Sequence, residues 1–283
     1  MNQSIPKKIH YCWLSKERRS KEAIKCMDSW KRIMPDYELV LWDQNKFDIT
    51  SVPFVEEACR VKKWAFACDY IRMYAIYKEG GIYMDTDVCV LKKFDRFLHH
   101  GFFTSEEYTF YGLLQSATFG GVKGHPLAKS CMDWYSDQHF ILPDGQYIYE
   151  KYPNMLSPKI FANQAIEYGY HNKDELQRLK ENTVIYPSYI FPPSIKNAEN
   201  RSYAVHLTSF SWDYSRGFKG VMEKVYKKLS HNEFLRKVLG YKKPLKHKTI
   251  DDFAIFESPS EELVVNEDYQ STDFAKRDNA KGE

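Results

Sequence analysis

Gly80-Gly81-Ile82-Tyr83-Met84-Asp85-Thr86-Asp87-Val88 decides how the rest of this chain is read. Glycine reaches the left-handed backbone that closes a helix, so the glycine pair marks a helix end. Ile82–Met84 reads as a short strand running into Asp85. Side chains of an extended strand alternate between faces, so Asp85 and Asp87, two apart, point the same way. Ligands of open α/β sheets bind at the carboxyl ends of strands, and two like charges gathered there repel. A hard divalent cation, Mg²⁺ or Mn²⁺, resolves that repulsion and in turn binds a diphosphate. The competing reading is a solvated turn.

Working outward, Phe54–Tyr77 has the pattern of one long helix ahead of the glycines. Within it Asp69 and Arg72 lie three apart, on one face, in the otherwise apolar run Ala65-Phe66-Ala67-Cys68-Asp69-Tyr70-Ile71-Arg72-Met73-Tyr74. A surface ion pair would explain them alone; followed by Gly-Gly and Asp-x-Asp they form a combination with a purpose. Further out, Lys8–Leu14 reads as a first strand, Ser20–Met34 as a helix stopped before Pro35, and Tyr37–Trp42 as a second strand. Strand, helix, strand, helix, strand is the order of a mostly parallel sheet, hence an α/β fold. The region 104–200, with Pro, Tyr and Asn scattered through it, does not parse into elements. Trp30, Trp42 and Trp64 are assigned to packing.

The whole-chain numbers fit one large domain with additions. The length is 283 residues, 43% hydrophobic and 28% charged, which excludes collagenous, low-complexity and wholly disordered chains. A net charge of +3 is too balanced for a protein whose main work is gripping nucleic acid. Aromatic residues reach 16%, which suits stacking on rings or sugars. Cys12, Cys26, Cys59, Cys68, Cys89 and Cys131 form no Cys-x-x-Cys pair and read as reduced, buried thiols. The first residues lack the apolar core of a signal peptide, and no window approaches about 18 apolar residues. A cytoplasmic location is the expectation.

Charge is segregated near the end. Lys219–Lys248 holds ten basic residues against Glu223 and Glu233, and Asp251–Glu283 holds ten acidic residues against three basic ones. This divides the chain into a body at 1–217, a basic helical segment at 218–250 and an acidic tail at 251–283. Val221, Met222, Val225, Tyr226 and Leu229 recur at helical spacing among lysines. Such a basic amphipathic helix either rests on an anionic membrane or packs on the body with a solvated lysine face.

The segment Lys63–Leu91, with the Asp69, Arg72, Gly-Gly and Asp-x-Asp signals in order, resembles glycosyltransferase family 32 and, distantly, the glucosylating bacterial toxins. The opening Ile5-Pro6-Lys7-Lys8-Ile9-His10-Tyr11-Cys12-Trp13 and the closing Tyr203-Ala204-Val205-His206 and Ser211-Trp212 are similar to the same family, so the resemblance spans about 1–215. It implies a GT-A type nucleotide-sugar-binding domain and a metal-dependent, retaining hexosyl transfer. Asp87 would bind the metal, Asp85 would serve ribose and metal, and His206 would complete the metal site. Asp69 and Arg72 would face the donor sugar and its phosphate, Trp13 would stack on the base, and Tyr83 would line the donor pocket. Ser211 and Trp212 would donate to the diphosphate. Two departures stand out: Gln115 lies where the family often carries Asn, and Leu207 follows His206 in place of a second His.

The implied donor is a UDP-hexose, UDP-galactose or UDP-glucose, with GDP-mannose as the alternative. The implied acceptor is a surface polysaccharide or a glycolipid. Of the rivals, a nucleotidyltransferase wants a Gly- or Lys-rich phosphate loop after the first strand, and Ser15-Lys16-Glu17-Arg18 offers none. A non-catalytic carbohydrate-binding protein has no need of Asp69, Arg72, Asp85, Asp87 and His206 together.

Overall fold

The computed structural model describes residues 4–107, 113–152, 155–194 and 197–207. Ser211, Trp212, the segment 218–250 and the tail 251–283 lie outside these residues.

Strand β1 (Lys8–Cys12) leads to helix α1 (Lys21–Ile33), which Ser20 caps by accepting from the Ala23 amide at 3.0 Å. Its buried positions Ala23, Cys26, Met27 and Trp30 follow helical spacing, and the helix stops at Met34, ahead of Pro35. Strand β2 (Glu38–Trp42) follows. The expected single helix at 54–77 is two helices, α2 (Pro53–Arg60) and α3 (Trp64–Glu79). Lys62 breaks them apart with φ of 58°, and the amides of Lys62 and Lys63 turn back to the carbonyls of Cys59 and Ala58. Helix α3 is buried over most of its circumference, so it shows little amphipathic pattern. Gly80, at φ 65°, ends it as expected, with its amide donating to the Ile76 carbonyl at 2.8 Å.

Strand β3 (Gly81–Met84) starts at a position that tolerates no side chain. A Cβ on Gly81 would meet His10 Nε2 and the Lys8 carbonyl at 2.9 Å each. His10 fills that space: its Nδ1 accepts from Trp42 Nε1 at 2.9 Å, so Nε2 carries the hydrogen and donates to the Gly80 carbonyl at 2.8 Å. Burial pushes the pKa of this imidazole down to about 4, which keeps it neutral.

The chain continues through β4 (Val88–Val90), β5 (Phe102–Ser105), β6 (Thr118–Gly121), α4 (Pro126–Ser136), α5 (Ile148–Lys151), α6 (Ser157–Ala165), β7 (Gln177–Leu179), β8 (Thr183–Tyr186) and β9 (Ala204–His206). Seven strands form one sheet in the order β2-β1-β3-β6-β5-β8-β7. Five of them run in one direction; β6 and β7 oppose them. The fold is therefore α/β with a mostly parallel sheet, as expected, and its antiparallel strands fall in the region the sequence left unparsed. Trp42, Phe66, Ile71, Tyr83 and Phe119 fill one face beneath the helices, and Ile9, Tyr11, Trp30, Ile82 and Phe103 fill the other. Trp30 and Trp42 lie in the core as expected, and Trp64 packs against it half-buried. All six cysteines are free and buried. No helix among the described residues is long and apolar enough to cross a membrane.

Candidate active site

Strand β3 ends at Met84, so Asp85 and Asp87 lie in a tight turn and not on the strand itself. The Val88 amide donates to the Asp85 carbonyl at 3.0 Å, closing the turn, and the Asp85 amide donates to the Ala117 carbonyl at 2.9 Å. The turn, more than strand alternation, brings the two carboxylates together. A separate two-stranded ribbon supplies the third member. Strands β4 and β9 pair antiparallel with Val88 opposite His206, and the Leu207 amide donates to the Asp87 carbonyl at 3.0 Å. His206 Nε2 then lies 3.3 Å from Asp87 Oδ1. Asp85, Asp87 and His206 bring one ligand atom each to within 4.8 Å of one another, all half-buried.

Helix α3 brings the charge that faces this cluster. Arg72 is 5% exposed and Asp69 8%, so the pair is buried and not a surface ion pair. Arg72 Nη2 lies 3.0 Å from Asp69 Oδ1 and 3.5 Å from Asp85 Oδ1. Its Nη1 donates to the Ser116 carbonyl at 2.8 Å. Tyr83 does more than line a pocket: its hydroxyl donates to Asp85 Oδ1 at 2.7 Å, and the Arg72 guanidinium stands 5.1 Å from its ring centroid. Asp85 is thus fixed from two sides.

The electrostatics follow from this crowding. Burial pushes the Asp69 carboxyl up to about 7, with Asp85 adding to the rise and Arg72 opposing it. Burial alone would lower His206; the Asp87 carboxylate more than reverses this and carries the imidazole up to about 9, with Asp85 and Glu107 adding smaller pulls. At neutral pH without a cation, His206 is an imidazolium paired with Asp87.

Trp13 and Gln115 spend their polar groups on the backbone. Trp13 follows β1 and is half-buried, with its indole Nε1 donating to the Glu17 carbonyl at 3.0 Å. Gln115 is spent on the backbone: its Oε1 accepts from the Ala117 amide at 2.9 Å, so it shapes the loop beneath Asp85. The carbonyls of Ser116 and Ala117 and the hydroxyl of Ser157, which hydrogen-bonds Asp69, are site members that sequence reasoning missed. Backbone carbonyls leave no mark in a sequence, and Ser157 lies in the unparsed region.

A family described as the glycosyltransferase sugar-binding region containing the DXD motif matches residues 20–103, a stretch that includes Asp69, Arg72, Asp85 and Asp87. Residues 20–103 are similar to the DXD glycosyltransferases. Inositol phosphoceramide mannosyltransferase 3 of Schizosaccharomyces pombe is 33% identical over 134 residues, covering 44% of this chain and 36% of that protein. Initiation-specific alpha-1,6-mannosyltransferase of Candida albicans is 24% identical over 145 residues, covering 48% and 36%. The chain therefore spans little more than a third of the length of these curated relatives. Among solved structures, the PaToxG glycosyltransferase is 20% identical with a TM-score of 0.45, covering 58% of this DXD chain and 70% of its own. The galactosyltransferase LgtC in complex with donor and acceptor sugar analogs is 10% identical with a TM-score of 0.39, covering 84% and 97%.

Proposed function

We propose that this chain is a DXD glycosyltransferase that transfers a hexosyl unit from a nucleotide sugar to a saccharide or lipid-linked acceptor, with retention at the anomeric carbon. The observation that carries the proposal is the convergence of Asp85, Asp87 and His206 within 4.8 Å beside a buried guanidinium. Two carboxylates and one imidazole are a donor set that suits Mn²⁺ or Mg²⁺. Bound there, a divalent cation would supply positive charge to a departing diphosphate.

The protein's own groups carry the rest of the mechanism. Arg72, held between Asp69 and Asp85, places fixed positive charge where a leaving phosphate acquires negative charge, in a site shielded from water. Tyr83 and Arg72 both hold Asp85 Oδ1, which leaves Oδ2 for a cation. His206 would hold the cation as its neutral imidazole, together with Asp85 and Asp87. Ser211 and Trp212 are proposed as donors to the diphosphate on family resemblance. The acceptor hydroxyl attacks from the face the diphosphate leaves, and its proton passes to the departing phosphate oxygen. This route needs no enzyme nucleophile, and among Asp69, Asp85 and Asp87 each carboxylate already has another role.

Family resemblance puts UDP-galactose or UDP-glucose first among donors. The names of the two curated relatives favour the second reading, GDP-mannose, and the acceptor class that one of them carries in its name agrees with a glycolipid or surface-polysaccharide role. The basic segment 218–250 would hold the enzyme at the inner face of the membrane as a peripheral protein. The test is release or transfer of hexose from a panel of UDP- and GDP-sugars with Mn²⁺, with EDTA, and with Asp87→Ala. Turnover lost in both EDTA and the variant is expected; turnover that survives both would sink the proposal.

A further inference from the structure

Strand β7 ends the sheet, and its Arg178 pairs with Val184 of β8. Directly paired residues share a face, and so do residues two apart on one strand. Arg178, Val184 and Tyr186 therefore stand on one side of the sheet. Val184 and Tyr186 join Phe97 in the core there, and Arg178 is exposed at the rim. The Phe97 ring lies 5.1 Å from Tyr186 and 4.9 Å from Tyr203. Beside it the exposed Arg96 donates through Nη1 to the Tyr203 hydroxyl at 3.1 Å, with its guanidinium 5.5 Å from that ring. Lys92 Nζ is 5.4 Å from the same ring. On the other side, the Tyr186 hydroxyl meets His100 Nε2 at 2.7 Å.

These cations lack a counter-charge. Lys7, Lys129, Lys151 and Arg201 each pair with a carboxylate. Arg96, Arg178 and Lys92 make no ion pair among the described residues. Rings and a hydroxyl hold Arg96 instead, and one bond at Nη1 leaves most of its five donors unspent. Both guanidiniums act on the same buried groups. Burial, then the charges of His99, Arg178 and Arg96, push the His100 imidazole down to about 3. Arg96 and Arg178 likewise oppose the rise that burial gives the Tyr186 phenol, and Arg96 adds to the lowering of Lys92. His100 is 2% exposed, and its Nδ1 has no hydrogen-bond partner among the described residues. Like charges gathered in this way repel, and an anion among them removes that cost.

We propose that Arg96 and Arg178, with Lys92 and the Tyr203 hydroxyl beside them, form a second anion site that takes a phosphate group, free or carried by a lipid headgroup. A guanidinium offers paired donors that match two phosphate oxygens, and an ammonium adds a point charge. A carboxylate, planar and with two oxygens, would engage one guanidinium and leave the second unanswered. Tyr203 stands three residues before His206, about 10 Å along the strand, so this site is distinct from the acid cluster although strand β9 links the two.

The experiment is thermal stabilisation of the full chain in EDTA by inorganic phosphate and by dihexanoyl phosphatidylglycerol below its micelle concentration. Sodium chloride of equal ionic strength is the reference. At least one of the two probes should raise the melting temperature above that reference, and the one that acts at lower concentration identifies the source of the phosphate. Arg96→Gln and Arg178→Gln should each shift the half-effective concentration upward about tenfold, the effect of losing a bond to a charged group. Asp87→Ala should leave it unchanged. Arg178 has no ion pair to lose, and the unliganded melting temperatures of both variants report their folding. No stabilisation beyond the chloride reference, a response that both arginine variants retain, or one that Asp87→Ala abolishes overturns the proposal. The last result would place the phosphate at the acid cluster.

Discussion

Removing the Arg72 guanidinium would leave two carboxylates, Asp69 and Asp85, facing each other in a buried space with no counter-charge. Removing Asp69 leaves Arg72 still paired with Asp85. Breaking a buried pair from one side typically costs about 3–5 kcal/mol, because the remaining charge stays uncompensated. Arg72→Leu is therefore expected to destabilise the fold by about 3 kcal/mol, and Asp69→Asn by clearly less. Urea unfolding of the two variants checks the order, and the reverse order would show that Asp69 and not Asp85 is the main partner. At this scale much of the site was legible: Asp69, Arg72, Asp85, Asp87 and His206 all converge. Spacing paired Asp69 with Arg72 and Asp85 with Asp87, and family resemblance added His206, but their burial could not be expected, since a helix enclosed on most sides has no polar face to announce which residues meet solvent.

Among the elements, the corner between α3 and β3 sets where the acid turn begins. Gly81 has φ of 123°, and any Cβ there would collide with the His10 ring and the Lys8 carbonyl. Gly81→Ala combines backbone strain with overpacking and should cost about 3 kcal/mol. It should also free the His10–Gly80 bond, so a His10 Nε2–H that exchanges more slowly than in wild type would contradict this account. The Gly-Gly corner was legible because glycine has a specific conformational meaning. The α2–α3 break was not, because a lysine holds the left-handed position there. The β4–β9 ribbon was equally hidden: three residues on each side carry no periodicity, and their pairing joins positions over a hundred residues apart. Strands β5, β6 and β8 are buried at every position, so they lack the alternation that marks a half-exposed strand.

Across the whole molecule, three groups with raised pKa values, His206, Glu106 and Asp69, each contribute stability that falls as pH rises. The pKa of His206 is raised in the folded state to about 9 from 6.5, so its contribution is fully present below 6.5 and is lost as pH climbs through 9. Glu106, buried at the end of β5 and pushed up to about 8, acts in the same direction, and Asp69 does so at lower pH. The comparison that isolates His206 is therefore wild type against His206→Gln. Without metal, the variant should lose less melting temperature between pH 6.5 and 9; parallel curves would mean that Asp87 does not hold the proton on His206. The same proton competes with a cation, so Mn²⁺ affinity of the wild type should rise over that window.

The measurement that bears most directly on the donor site is thermal stabilisation by a nucleoside diphosphate, with and without Mn²⁺, on wild type and Asp87→Ala. A ligand that binds only the folded chain raises the melting temperature by mass action. The expected result is a shift that needs both the nucleotide and Mn²⁺ and disappears in the variant. An equal shift in Asp87→Ala, or one indifferent to Mn²⁺, would contradict the assignment of Asp85, Asp87 and His206 as the metal-assisted donor site.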